Sequence, residues 1–111
     1  MPIIPIEEIN LLHSNVCQAI SEPKRVQILY ALSEQPMNVT ALAQVLYTPQ
    51  PTISRHLAVL RQRSLVSADR AGVSVVYRLA DPRILTALDL MRQILQDVLE
   101  RQSDMMNKRD E

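Results

Sequence analysis

The stretch Thr48-Pro-Gln-Pro-Thr-Ile-Ser-Arg-His-Leu-Ala-Val-Leu-Arg-Gln-Arg63 reads as a short amphipathic helix with a sharp start. Thr48 suits the N-cap, where its hydroxyl accepts an orphan backbone N–H, and Pro49 suits the next position, where no N–H is needed. The spacing therefore predicts a helix beginning at Pro49. Ile53, Leu57 and Leu60 fall on one apolar stripe, and Pro51, Thr52, Arg55, Ala58 and Gln62 lie on the opposite side. Short hydrogen-bonding side chains near the start of that outer face fit a DNA major groove and reach base edges and phosphates. An ordinary surface helix has the same outline, so the flanking chain has to decide.

Upstream, Thr40 is suited to cap a helix through Leu42, Ala43 and Leu46, with Tyr47-Thr48 as the turn. Two short helices joined by a tight turn over 40–63 make a helix-turn-helix, whose second member normally lies in the major groove. Downstream the period changes. Leu65–Arg70 and Val73–Leu79 are β-branched and roughly alternating, with Ala71-Gly72 between them and the chain's single glycine where the turn needs a positive φ. A hairpin over 65–79 directly after a helix-turn-helix is a wing.

Towards the N-terminus, Ile6, Ile9, Leu12, Val16 and Ile20 recur at helical spacing, which predicts a helix over 6–20 held back by Pro2 and Pro5. Ser21-Glu22-Pro23 restarts the chain into a helix with a Val26, Leu29 and Leu32 stripe, ended by Gln35-Pro36, and Met37-Asn38-Val39 is long enough only for a brief strand. At the other end Asp81 and Pro82 start a final helix over 82–101. Its Leu85, Leu88, Met91, Ile94, Leu95 and Val98 follow a coiled-coil-like spacing. So long a stripe exceeds what a domain this small can cover, and a homodimer through the first and last helices would satisfy it. Residues 102–111 are polar and are expected to fray. The whole is one domain, 1–111, mainly α with a small β-hairpin, in the order α-α-β-α-α-β-β-α of a winged helix-turn-helix.

Composition narrows the functional classes. The chain has 111 residues, 47% of them hydrophobic, with no Phe or Trp, so its core must be aliphatic. One glycine implies few tight turns. One cysteine excludes an internal disulfide, and the start lacks the basic region and long apolar run of a signal peptide, so a cytoplasmic protein with no membrane segment is expected. Net charge is zero, but residues 49–80 hold Arg55, Arg61, Arg63, Arg70 and Arg78 against Asp69 alone, while acids outnumber bases on either side. The basic segment is the one containing the opening helix, as an electrostatic footprint on DNA requires. No Ser/His/Asp or Cys/His constellation stands out, and one glycine cannot make a phosphate loop, so neither an enzyme nor a cofactor is expected.

Ser-Glu-Pro-Lys-Arg-Val-Gln-Ile-Leu (21–29), Pro-Gln-Pro-Thr-Ile-Ser-Arg-His-Leu (49–57) and Val-Val-Tyr-Arg-Leu (75–79), in that order, resemble the ArsR/SmtB family of bacterial winged-helix repressors. The resemblance spans roughly Ile6 to Leu99. It implies a homodimer bridged by the first and last helices, bound to an inverted-repeat operator in double-stranded DNA and released by an inducer whose identity the sequence does not name. By position it implies that Gln50, Thr52, Ser54, Arg55 and His56 approach bases and phosphates, joined at the edges by Thr48 and Arg61, with the wing around Arg70 on the flanking backbone or minor groove. Ser54 and His56 sit at the edges of the stripe, and for His56 packing and DNA contact are both open.

The chain departs from the family's metal sensors. Val39-Thr40-Ala41-Leu42 has no Cys-x-Cys, and the last helix has no histidine, so neither familiar metal site can form. His13 and Cys17 remain, spaced i, i+4 on the first helix, as a candidate sensor pair for metal, metalloid or thiol oxidation. A small buried cysteine beside a surface histidine is the alternative. For the chain as a whole, the competing class is a winged helix that docks on a protein partner instead of DNA.

Overall fold

The computed structural model describes residues 3–109. The element order is α1 (Ile6–Leu12), a π-helical turn (His13–Cys17), α2 (Pro23–Glu34), α3 (Val39–Val45), α4 (Gln50–Gln62), β1 (Val66–Ala71), β2 (Ser74–Leu79) and α5 (Arg83–Arg109). The fold is mainly α with a two-stranded antiparallel hairpin, the arrangement of a winged helix-turn-helix.

The first helix is shorter than its apolar spacing predicts. Ser14 Oγ donates to the Asn10 carbonyl at 2.9 Å, and Asn15 Nδ2 donates to the Leu11 carbonyl at 2.8 Å. These side chains take up carbonyls of the α-helical ladder, and the next turn widens until the Gln18 N–H reaches the His13 carbonyl at 2.9 Å. Residues 18–20 then form a turn. Pro5 precedes the helix as expected; Pro2 lies outside the described residues.

In α2, Pro23 takes the first position. The helix buries Ile28, Leu29, Ala31 and Leu32, a wider arc than the expected Val26, Leu29 and Leu32 stripe, because α3, α4 and β2 all pack on it. The brief strand expected at Met37-Asn38-Val39 reduces to one bridge. Met37 and Tyr77 exchange backbone hydrogen bonds of 3.0 and 2.8 Å. That bridge keeps Met37 extended, so the cap of α3 falls to Asn38, whose side chain accepts from the Ala41 N–H at 2.8 Å, and Thr40 becomes an exposed helical residue.

Both helices of the helix-turn-helix end in the same left-handed closure. After α3, the N–H of Thr48 reaches the Ala43 carbonyl (3.0 Å) and that of Tyr47 the Gln44 carbonyl (3.3 Å), with Tyr47 at φ +49°. After α4, Leu65 reaches Leu60 (2.9 Å) and Ser64 reaches Arg61 (3.0 Å), with Ser64 at φ +61°. Glycine is the usual residue at such positions. The chain's scarcity of glycine therefore does not limit its tight turns, because Tyr47 and Ser64 make two of them.

The hairpin pairs Val66 with Leu79 through Ala71 with Ser74, so the turn is Gly72-Val73, one residue later than expected. Gly72 has φ +66° at the first central position, which glycine fills in a type II′ turn. The wing is tied to the body by the Met37–Tyr77 bridge and by Asn38 Nδ2 donating to Ser74 Oγ at 3.2 Å. The core is aliphatic as composition requires. Ile28, Leu29, Leu42, Ile53, Leu57 and Leu60 are the largest fully buried side chains, each worth about 1.5–3 kcal/mol of transfer free energy.

The chain divides into two compact units, Met1–Asp81 and Pro82–Glu111. The second is built on α5, which runs unbroken through Arg109, where fraying from Gln102 onward is expected. No glycine or proline interrupts residues 102–109, so helix propagation continues; residues 110 and 111 lie outside the described residues. No helix among the described residues is long and apolar enough to cross a membrane.

Candidate nucleic-acid interface

The opening helix, α4, begins at Gln50, one residue later than its sequence predicts. Its N-cap is Pro49, which offers no side-chain hydrogen bond. Thr48 lies in the turn instead, half-buried, with its hydroxyl donating to the Leu46 carbonyl at 2.8 Å. Ile53, Leu57 and Leu60 are completely buried, as the stripe requires. This burial anchors one side of the helix and leaves Gln50, Pro51, Ser54, Arg55, Ala58 and Arg61 exposed on the other. The first turn contains no acidic side chain, so nothing opposes an anion at the positive end of the helix.

The two flanks of this face differ. On one, Thr52 and His56 are half-buried. His56 Nδ1 lies 3.4 Å from Arg25 Nη1 of α2. A guanidinium has no acceptor, so the contact is favourable only when Nδ1 carries no proton. Burial holds the His56 imidazole below its ordinary pKa of 6.5; Arg25, Arg55 and Lys24 lower it further, and Glu22 opposes them. On the other flank an open groove of about 460 Å³ runs between α4 and the wing, lined by Ser54, Leu57, Ala58, Arg61, Gln62 and Tyr77.

Charge is distributed along the same side chains. Arg78 pairs with Asp69 across the hairpin, Nε to Oδ2 at 2.9 Å, and is thereby partly neutralised. Arg55, Arg61 and Arg70 are exposed and carry no acidic partner among the described residues, and Arg63 is half-buried. Arg70 stands near the tip of the wing opposite Val75. Thr40 was not singled out by its sequence context as a surface group of this face. Gln50 Nε2 donates to its hydroxyl at 3.4 Å and so joins the start of α3 to that of α4. Tyr77 likewise enters the groove only through tertiary proximity. Both lie far from the opening stretch in local pattern, and no periodicity marks them.

The proposed sensor pair lies elsewhere. His13 and Cys17 bound the π-helical turn, and both are exposed in the single chain. Among the described residues no group of three or more His, Cys, Asp or Glu side chains is placed to hold a metal ion.

A family profile described as "Bacterial regulatory protein, arsR family" matches residues 22–68. The HTH-type transcriptional regulator NmtR of Mycobacterium tuberculosis is 41% identical over 76 residues, covering 68% of this chain and 63% of the relative. An uncharacterized HTH-type transcriptional regulator of Methanocaldococcus jannaschii is 32% identical over 82 residues, which cover 73% of this chain and 92% of that protein. Among solved structures, the homodimeric winged helix-turn-helix DNA-binding domain of a possible ArsR-family regulator from Mycobacterium bovis superposes with a TM-score of 0.74. It is 27% identical, over 91% of this chain and 95% of that one. The chain spans less than two thirds of the length of the mycobacterial relatives, 63% of NmtR and 59% of a repressor named SmtB.

Proposed function

This chain belongs to the ArsR/SmtB family of winged helix-turn-helix regulators, and we propose that it is a dimeric, sequence-specific DNA-binding transcriptional repressor acting in the cytoplasm. It is a regulator, not an enzyme. The observation that carries the reading is the outer face of α4: Gln50, Ser54 and Arg55 stand exposed on a helix whose Ile53, Leu57 and Leu60 are wholly buried. A rigidly anchored helix with short polar groups and one guanidinium at its leading end suits direct readout, with Arg55 bidentate to a guanine. Arg61, beside the groove between α4 and the wing, and Arg70 on the wing supply phosphate contacts. Thr52 and His56 act from the half-buried flank, Thr48 by shaping the turn.

Dimerisation uses the apolar faces of α1 and α5. Ile6, Ile9 and Leu12 of α1 and Ile94, Leu95 and Leu99 of α5 are all about half exposed in the single chain, and a second copy would cover them. A two-fold dimer reads an inverted-repeat operator because each half-site meets an identical helix. The releasing signal acts at Cys17, exposed at the end of the π-helical turn that His13 begins, through thiol oxidation or a metal or metalloid.

The test is binding of the purified protein to a duplex selected from a randomised pool, titrated against salt. A dimer bound to one palindromic duplex, with affinity falling steeply as salt rises, supports the reading. Failure to enrich any duplex overturns it and favours docking of the wing and α4 on a protein partner.

A further inference from the structure

Tyr47 occupies the turn between α3 and α4 in a conformation that tyrosine disfavours. Its φ is +49°, in the left-handed region, at the C′ position of the helix-closing motif where glycine is the usual choice. The ring returns nothing to packing, since the residue is 95% exposed, and among the described residues no hydrogen bond or ion pair engages its hydroxyl. Folding alone thus favours a different residue here. Ser64 shares the left-handed backbone but exposes only a hydroxymethyl group, whereas Tyr47 holds a whole aromatic ring in solvent, and strained residues of this kind cluster where a fold meets its ligand.

The position says what that is. Tyr47 precedes Gln50, the first residue of α4, by three residues, so their Cα atoms are at most roughly 11 Å apart. It lies at the leading end of the helix that enters the groove, next to Pro49, Gln50 and Pro51, all exposed. Thr48 cannot serve there, because its hydroxyl is held by the Leu46 carbonyl. A duplex receiving the start of α4 brings one of its phosphate strands past this turn. The phenol is a neutral donor on a rigid arm with only two rotatable bonds, suited to that strand.

Resting on the DNA-binding reading above, we propose that Tyr47 is an anchoring residue of the interface, its hydroxyl donating to a phosphate oxygen at the edge of the groove that α4 enters. The left-handed backbone aims the ring outward, and the contact fixes the register of α4 without reading a base.

The contact and a purely structural role predict opposite signs. Tyr47→Gly removes the strain, and Tyr47→Phe keeps the ring and removes the donor. Both variants and the parent are measured on a duplex that the parent selects from a randomised pool, and on an unrelated duplex of equal length. The expected result is a thermal midpoint for Tyr47→Gly no lower than the parent's. Operator affinity then falls roughly three- to tenfold in both variants, with the slope against salt unchanged because no cation is lost. The loss is similar on the unrelated duplex, as a phosphate contact requires. If the parent binds its duplex and both variants bind equally well, the assignment of Tyr47 is wrong while the DNA-binding reading stands. If the parent selects no duplex, both fall together.

Discussion

Arg25 at the start of α2 and His56 in the middle of α4 meet across 31 residues of sequence, Nη1 to Nδ1 at 3.4 Å. The same guanidinium donates through Nε to the Ala19 carbonyl at 2.6 Å and through Nη2 to the Gln18 carbonyl at 3.0 Å. One side chain thus ties the turn that follows Cys17 to the helix proposed to read DNA. Three of its five donors go to two backbone carbonyls and an imidazole that must stay neutral at Nδ1.

That arrangement sets a pH dependence. The folded-state pKa of His56 is depressed below 6.5, chiefly by burial and next by Arg25. The unfolded chain therefore binds the proton more readily than the folded one, so the stability associated with a neutral His56 is fully present above pH 6.5 and is lost as pH falls through the folded pKa. Thermal melts of the parent and of His56→Gln between roughly pH 7.5 and 5 are expected to diverge, with the parent losing more on acidification. Parallel curves would show that His56 does not couple to folding.

The left-handed closure at Ser64 offers a clean test of backbone strain. Ser64 is exposed at φ +61°, so Ser64→Gly removes the steric penalty and adds unfolded-state entropy in opposition. A net gain of up to about 1 kcal/mol is expected from denaturant titration, with operator affinity unchanged. A loss of stability would mean that the Ser64 side chain contributes more than the strain costs.

The anchored side of α4 should be the sensitive one. Leu57 is completely buried, and Leu57→Ala is expected to destabilise the fold by about 2–5 kcal/mol through lost transfer free energy and a residual cavity. Ala58, its neighbour on the outer face, is exposed, and Ala58→Ser should leave the unfolding midpoint within about 0.5 kcal/mol of the parent.

Arg55 and Arg70 should fail differently when replaced. Arg55→Ala is expected to weaken operator binding by about 1–3 kcal/mol and to relax preference at one base pair. Arg70→Ala should weaken all duplexes alike and lower the salt slope by about 1. Competition titrations against single-base operator variants separate the two, and equal behaviour of both mutants would remove the distinction between readout and positioning.

For the apolar face of α5, Leu95→Arg places a charge where the side chain is 55% exposed in the single chain. Helix content by circular dichroism should be retained, while sedimentation equilibrium shifts from dimer to monomer and operator binding falls with it. A dimer that survives the substitution would move the interface off this stripe.

Local chemistry made much of this protein readable in one dimension. Pro23 and Gly72, and the three-residue and four-residue spacing of Ile53, Leu57 and Leu60, act within a turn or two of themselves, so the start of α2, the presence of the hairpin and the buried side of α4 follow directly from residue type. Features that depend on partners distant in sequence were not readable. Thr40 suits a cap by residue type, but the pairing of Met37 with Tyr77 moves the cap to Asn38. Arg78 counts as a free cation in the sequence until the hairpin register brings Asp69 to it. His56 lies at the edge of the stripe by sequence, and only the fold brings Arg25 to its ring. Residue identity determines which hydrogen bonds and conformations each site can adopt; only the packing of α2, α4 and the wing decides which of those partners arrives.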